Sequence, residues 1–279
     1  MWDTVAIVGV GLIGGSIGMA LRKRGLARHV VGIGRRESSL RIALDRGMLT
    51  STTTNLAGGV AQADVVVLCT PVELIVDQAL AASRACPAGA LITDAGSTKS
   101  NICRRLADCW VGRGAFVGSH PLAGSEKTGP AFAEEDLFEG RLTVITPLPE
   151  TSAEHVLRTE DFWRSLGCRV IRTTPEAHDQ AVAASSHLPH LLASTLAAAT
   201  PPEVLDFVAK GWRDTTRVAA GDAELWRQIL TENRVHVLRS VDNFAKVLSQ
   251  FREALADDNQ AELVRLLETG KQRRDAVGS

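Results

Sequence analysis

Between residues 4 and 171 seven short runs rich in apolar and β-branched residues recur: TVAIV (4–8), VVGI (30–33), DVVVLC (64–69), ALIT (90–93), AFVG (115–118), LTVI (142–145) and CRVI (168–171). Several are apolar without alternation, as strands covered on both faces are, and most are separated by stretches long enough for a crossover helix. The pattern predicts an α/β fold with a doubly wound, mostly parallel sheet over residues 1–174. Past Pro175 the strand signals stop and helical patterns take over, so residues 175–279 read as an all-helical domain. Its clearest apolar row is Leu230, Val237, Val241, Phe244, Leu248, Phe251 and Leu255, whose steps of 7, 4, 3, 4, 3 and 4 keep to one helical face. Leu238, Ala245 and Val247 widen that face beyond what one neighbouring helix covers. The row predicts a homodimer packed through the C-terminal helices, the alternative being a large monomeric core.

Charge excludes some partners. Lys plus Arg number 31 and Asp plus Glu 32, a formal net charge of -1, which offers no bulk electrostatic case for a nucleic acid or a membrane surface. Any anion must be recognised by local charges. The five cysteines are odd in number and lack CxxC spacing, which argues against both a disulfide framework and a zinc ribbon. No apolar run reaches the roughly 18 residues of a membrane span, and the chain begins directly in a strand pattern with no leader signature. A cytoplasmic protein is the expectation.

Residues 9–14, GVGLIG, place a GxGxxG motif between the first strand and the helical stretch after it. Gly9 permits the tight turn, Gly11 lets the backbone approach a pyrophosphate, and Gly14 allows close helix–strand packing. The helix N-terminus supplies the anion site. With Leu12 and Ile13 these glycines form the expected cofactor-binding segment; a phosphate-free turn of the same shape is the alternative. In NAD-binding versions an acid about 20 residues further on bonds the ribose 2′-hydroxyl. Here the strand end VVGIGRRE puts Gly34 in that place, followed by Arg35 and Arg36. Guanidiniums pair with a 2′-phosphate where a carboxylate would repel it, so the sequence predicts NADP in preference to NAD. A solvated arginine pair, with Glu37 as a displaced ribose acid, is the other reading.

The segment GSHPLAGSEKTG (118–129) follows AFVG at the C-terminal end of a strand, where ligands bind in open α/β sheets. From Ser119 to about Arg141 little regular pattern is visible, and a connection that long inside a domain is usually functional. His120 is therefore expected near a nicotinamide ring. Dehydrogenation needs a group that takes a hydroxyl proton while hydride leaves the carbon, and an imidazole of unperturbed pKa about 6.5 suits that task. Pro121 stiffens the backbone, Gly124 and Gly129 allow sharp turns, and Glu126 with Lys127 also reads as a solvated pair. DAGSTK (94–99) follows ALIT and brings the Ser97 hydroxyl and Lys99 to the same sheet edge, unless Ser97 only caps a helix.

SSHLPHLLA (185–193) sets His187 and His190 three apart on one helical face. No HExxH or companion Cys/His spacing accompanies the histidines, and no metal is expected. GWRDTTRVAAGDAELW (211–226) holds Arg213, Asp214 and Arg217 ahead of Trp226. Arginine grips a carboxylate with two parallel hydrogen bonds, so Arg213 and Arg217 are candidate substrate-binding residues. Arg213 has Asp214 beside it; Arg217 lacks an obvious local acid and is the stronger candidate.

Taken in order, GVGLIGGS, DAGSTK, SHPLAGSEKTG, SHLPH and RDTTRVA resemble the prephenate dehydrogenase family, which includes the arogenate and cyclohexadienyl dehydrogenases. The resemblance covers nearly the full chain, and SHPLAG and SHLPH are more specific than the glycine motif. It implies a Rossmann domain followed by an all-helical dimerisation domain. The implied reaction is oxidative decarboxylation of prephenate to 4-hydroxyphenylpyruvate, or of arogenate to tyrosine, with NAD(P)+ in tyrosine biosynthesis. It also implies His120 as the catalytic group on the ring hydroxyl, Ser97 bonded to the same hydroxyl, and Glu126, His187, His190 and Arg217 as substrate-site residues. The acid missing after the second strand departs from NAD-specific members. No room is expected after the helices for a regulatory ACT or chorismate mutase domain, so feedback by tyrosine would act at the active site. A β-hydroxyacid or imine dehydrogenase of the same architecture is the rival enzyme; it would place a lysine near the reacting centre, and Lys210, Lys246 and Lys271 lie outside the histidine and arginine segments. A non-catalytic NADP-sensing module is the rival without chemistry, and it has no need of His120.

Overall fold

The computed structural model describes residues 1–278. Strand β1 (Trp2–Val8) leads through α1 (Leu12–Lys23), β2 (Ala27–Ile33), α2 (Glu37–Asp45), β3 (Ser51–Thr53) and α3 (Leu56–Val60) to β4 (Val65–Leu68). There follow α4 (Val72–Ala85), β5 (Leu91–Asp94), α5 (Ser100–Cys109), β6 (Ala115–Pro121), β7 (Leu142–Thr146), α6 (Ala153–Ser165) and β8 (Arg169–Arg172). The strands make one 8-stranded sheet in the order β3-β2-β1-β4-β5-β6-β7-β8, parallel except where β6 meets β7. The order reverses between β1 and β4, so the carboxyl ends of those strands frame the crevice at which open α/β sheets bind ligands.

Successive side chains go to opposite, equally covered faces. Val5, Ile7, Val65 and Val67 pack with Phe162 and Trp163 of α6 on one side, while Ala6, Val8, Val66 and Leu68 pack with Ile75 and Val76 of α4 on the other. Burial on both faces is why the runs are continuously apolar and do not alternate.

Two strands differ from the sequence reading. β3 is a three-residue edge strand of Ser, Thr and Thr, partly exposed, and it carries no apolar run. β6 continues past AFVG through His120 and Pro121, which pair antiparallel with Val144 and Thr143. His120 therefore sits on a strand held by a ladder, not in the loop beyond it.

The Thr174 side chain caps α7 (Pro175–Val182), with Pro175 in the first turn where its missing N–H is no loss. A π-helical turn (Ala183–His187) then leads directly into α8 (Leu188–Ala199). Pro189 cannot donate to the carbonyl of Ser185 and its ring would crowd it, and the widened turn absorbs both problems without ending the helix. With α9 (Lys210–Thr216) and α10 (Ala223–Glu232) these helices belong to a first compact unit, Met1–Asn233. The second unit begins at Arg234 and consists of α11 (Arg234–Ala256) and α12 (Gln260–Asp275). The apolar row is accordingly divided: Leu230 belongs to α10, and the row from Val237 to Leu255 lies on α11. Leu238, Leu248 and Leu255 of α11 are 51%, 56% and 66% exposed in the single chain. No helix among the described residues is long and apolar enough to cross a membrane.

Candidate active site

Beyond the carboxyl ends of β1, β5 and β6 lies a cavity of about 630 Å³, the size of a small-molecule site. It is lined by Leu12 and Ile13 from the start of α1, Ser97 from the β5–α5 turn, His120 from β6 and Glu126 from the following loop. His187 and His190, on either side of Pro189, and Arg217 line it from the helical segment. Gly124 and Gly129 give the β6 loop its turns, with φ of 139° and 96°. Arg213 is not brought in; it is exposed on α9 and does not line the cavity. Four residues apart on one helix the two arginines would share a face, but α9 ends at Thr216 and Arg217 opens a 3₁₀ turn.

Space decides whether a dinucleotide fits the glycine motif. A Cβ on Gly9 would meet the Cys69 carbonyl oxygen at 2.6 Å and one on Gly14 the Gly9 carbonyl oxygen at 2.2 Å, so both are required by the chain packing on itself. A Cβ on Gly11 would meet nothing within 4 Å. Gly11 thus opens room at the N-terminus of α1, where no side chain caps the helix and the first amides remain available to a pyrophosphate. The residues fit the group. Arg35 and Arg36 stand exposed just beyond β2.

His120 is held from behind. Its Nδ1 lies 2.9 Å from Nε2 of His178, whose Nδ1 lies 2.8 Å from Oδ1 of Asp179. The buried Asp179 carboxylate also accepts the backbone N–H groups of Lys99 (2.7 Å) and Ser100 (2.9 Å). Burial would raise this carboxyl, but the bond from His178 and the two amides outweigh it and hold Asp179 below the ordinary carboxylate value. Burial, then the neighbouring His178, Lys99 and His187, push His120 well below the ordinary imidazole value, so its ring is neutral near pH 7.

Lys99, expected at the ligand edge, is instead fully buried and paired with Asp94, whose carboxylate also accepts the amides of Gly96 (2.8 Å) and Ser119 (3.0 Å). That pair pins the β5–α5 turn against β6. Helix α5 begins after Lys99 as its N-cap, so Ser97 caps nothing and faces the cavity.

Asn233 Nδ2 donates to the Asp179 carbonyl at 2.7 Å and to His187 Nδ1 at 3.1 Å, which leaves the His187 hydrogen on Nε2. Burial pushes His187 down to about 4 and lowers His190 in the same direction. The His190 ring stacks on Trp226 with centroids 3.5 Å apart at 11°, and His187 meets the same indole edge-on at 6.1 Å. Arg217 does have an acid: its Nη1 lies 3.0 Å from Oε2 of Glu126. Among the described residues no group of three or more His, Cys, Asp and Glu is placed to hold a metal ion.

Sequence reasoning missed His178, Asp179 and Asn233. The adjacent His-Asp pair in PEAHDQAV, on the helix leading to SHLPH, was an available signal; nothing local marks Asn233.

A neutral imidazole beside a dinucleotide cradle suits the removal of a hydroxyl proton as hydride departs, the chemistry of Rossmann-type, dinucleotide-dependent dehydrogenases. Residues 17–172 match the family described as "Prephenate dehydrogenase, nucleotide-binding domain", and residues 174–269 match "Prephenate dehydrogenase, dimerization domain". The chain is 33% identical over 285 residues to the prephenate dehydrogenase of Bacillus subtilis, covering 99% of this chain and 76% of that one. The crystal structure of prephenate dehydrogenase from Aquifex aeolicus in complex with hydroxyphenyl propionate and NAD+ is similar with a TM-score of 0.90 at 32% identity, over 99% of this chain and 98% of that one. Synechocystis arogenate dehydrogenase is similar with a TM-score of 0.82 at 30% identity, over 98% and 99%. The chain belongs to the prephenate dehydrogenase family.

Proposed function

We propose that this protein carries out the oxidative decarboxylation of prephenate to 4-hydroxyphenylpyruvate in tyrosine biosynthesis, with conversion of arogenate to tyrosine as the companion reaction. The observation that carries the reading is the convergence of Ser97, His120, His190 and Arg217 on one cavity that begins at Leu12 and Ile13, beside the dinucleotide cradle. When bound, the nicotinamide supplies the hydride acceptor. The chain's own groups then handle the oxygen and the carboxylates.

His120, neutral, takes the proton of the ring hydroxyl, with Ser97 bonded to the same oxygen, as hydride leaves the carbon. The bond to the ring carboxylate breaks, carbon dioxide departs and the electron pair enters the ring, which becomes aromatic. The oxygen takes its proton back from His120. No net proton is released, so the imidazole is restored without a route to solvent. Arg217 holds a substrate carboxylate. Its pair with Glu126 is partly exposed and worth no more than about 1 kcal/mol, so an incoming carboxylate displaces it at small cost.

Arg35 and Arg36 support NADP as the preferred cofactor through a 2′-phosphate, while the Aquifex aeolicus relative was solved with NAD+. The exposed leucines of α11 support a homodimer formed through the C-terminal helices. The last strand, β8, ends at Arg172 and only helices follow, which supports a boundary between the nucleotide-binding and helical domains after residue 174. Five unpaired cysteines support a cytoplasmic location. The only lysine lining the cavity among the described residues is Lys127, on the β6 loop, so nothing favours the rival hydroxyacid or imine chemistry. The test supplies prephenate and arogenate separately, each with NADP or NAD, and follows absorbance of the reduced cofactor. Turnover of at least one substrate is expected, and none of either would defeat the reading.

A further inference from the structure

We infer that His178 and Asp179 are positioning residues that fix His120 in a single tautomer, with its hydrogen on Nδ1 and a bare Nε2 for the substrate hydroxyl, and that the same carboxylate sets the turn bearing Ser97. The inference rests on the reading of His120 as the group that takes the hydroxyl proton.

The polarity follows from the direction of each bond. An ionised carboxylate can only accept, so the 2.8 Å contact between Asp179 Oδ1 and His178 Nδ1 places a hydrogen on that nitrogen. With its single hydrogen on Nδ1, His178 offers a lone pair at Nε2, and His120 Nδ1, 2.9 Å away, donates to it. The two rings meet edge to face, with centroids 5.1 Å apart and planes at 72°. His120 Nε2 is left bare, which is the form a proton acceptor needs. A hydrogen on both nitrogens of His178 would reverse the chain and put the His120 hydrogen on Nε2, where it could only donate.

Asp179 reaches the second group as well. It is 1% exposed, and its two oxygens accept the amides of Lys99 and Ser100, closing the turn that presents Ser97. The hydroxyl and the imidazole that meet one substrate oxygen are therefore referenced to one carboxylate. The charged or titratable groups around the His120 ring are His178 and Asp179 from α7, Lys99 with its partner Asp94 from the β5–α5 turn, and His187 from the π-helical turn.

Nitrogen-15 NMR of the full-length protein labelled at histidine tests the tautomer without any turnover, the His120 signal being identified by its loss in His120→Asn. A protonated Nδ1 on His120 at pH 7 is expected, and a protonated Nε2 would overturn the inference. In kinetics with prephenate, His178→Gln keeps a carbonyl acceptor for His120 Nδ1 and is expected to stay within about tenfold of the parent kcat. His178→Leu removes the acceptor and is expected to lower kcat about 100-fold or more with KM within about threefold; loss of the tautomer-fixing group of a catalytic histidine elsewhere costs about 10⁴. Parent kcat in His178→Leu would overturn the inference. Absence of all turnover in the parent would instead defeat the functional reading, with the NMR result still deciding the tautomer.

Discussion

Arg217 and Glu126 meet at the cavity with Nη1 3.0 Å from Oε2, although 91 residues separate them in the chain. Their side chains are 62% and 31% exposed, so water competes for both and the pair adds little to folding. In the proposed role of Arg217, a substrate carboxylate entering the cavity would exchange one carboxylate for another on the same guanidinium. Arg217→Ala is expected to raise KM for prephenate roughly 10- to 100-fold, the loss of one charge-assisted bond of about 1.5–3 kcal/mol, with a smaller change in kcat and a nearly unchanged Tm. Steady-state kinetics beside a thermal melt makes the check, and an unaltered KM removes Arg217 from the site.

His120 should behave in the opposite way. His120→Asn deletes the proposed proton acceptor and leaves the cavity walls in place, so kcat is expected to fall by roughly 10²–10⁴ with KM within a few-fold. The pH profile carries the same information. The ring works when neutral and is held well below its ordinary value, so kcat/KM should stay level as pH falls through about 6.5 and decline only below it. An acid limb centred at or above 6.5 would contradict the burial that lowers His120.

What was legible in the sequence was whatever repeats along the chain or sits in a dense local motif. The six interior strands announce themselves because both faces of the sheet are buried there; edge strand β8 shows a short apolar run although Ile171 is 48% exposed, and edge strand β3 does not because Ser-Thr-Thr has no apolar face to show. Ser97, His120, His187 and His190 could be picked out from compact segments at strand ends or around a proline. Arg213 was a candidate on guanidinium chemistry alone, which does not reveal that α9 stops at Thr216 and leaves this side chain exposed and outside the cavity lining. Lys99 misled for another reason: position at the sheet edge does not reveal that the side chain turns inward to Asp94. The partners joined across the fold, Glu126 with Arg217 and Asp179 with Lys99 and Ser100, were beyond any local pattern.

The proposed preference for NADP is supported by two exposed guanidiniums beyond β2, with Gly34 in the place where NAD-binding versions carry the ribose-binding acid. Replacing both, Arg35→Ala with Arg36→Ala, is expected to lower kcat/KM for NADP about 10- to 100-fold and to leave that for NAD within a few-fold, since only the 2′-phosphate loses a partner. Initial rates with each cofactor at fixed prephenate decide it. A parent enzyme that strongly prefers NAD would refute the assignment before any variant is made.

His187 ties the site to acid stability. Its folded pKa is pushed down to about 4 by burial, against about 6.5 for an unperturbed imidazole. Between those values the unfolded chain binds a proton that the folded chain refuses. Stability is therefore highest above about pH 6.5 and is lost as pH falls toward 4, by about 3 kcal/mol in all from this one ring. His120 and His190 are lowered in the same direction and steepen the slope, while Asp179, lowered as a carboxylate, costs stability only in the more acidic range below its ordinary value. The diagnostic is consequently a difference between two proteins. His187→Gln keeps an acceptor for Asn233 Nδ2 and removes the titrating ring, so the variant should lose about 2 kcal/mol less than the parent on going from pH 7 to pH 5 in urea denaturation. Equal losses in the two proteins would mean that protonated His187 is tolerated in the folded state and that Asn233 does not hold it in the neutral form.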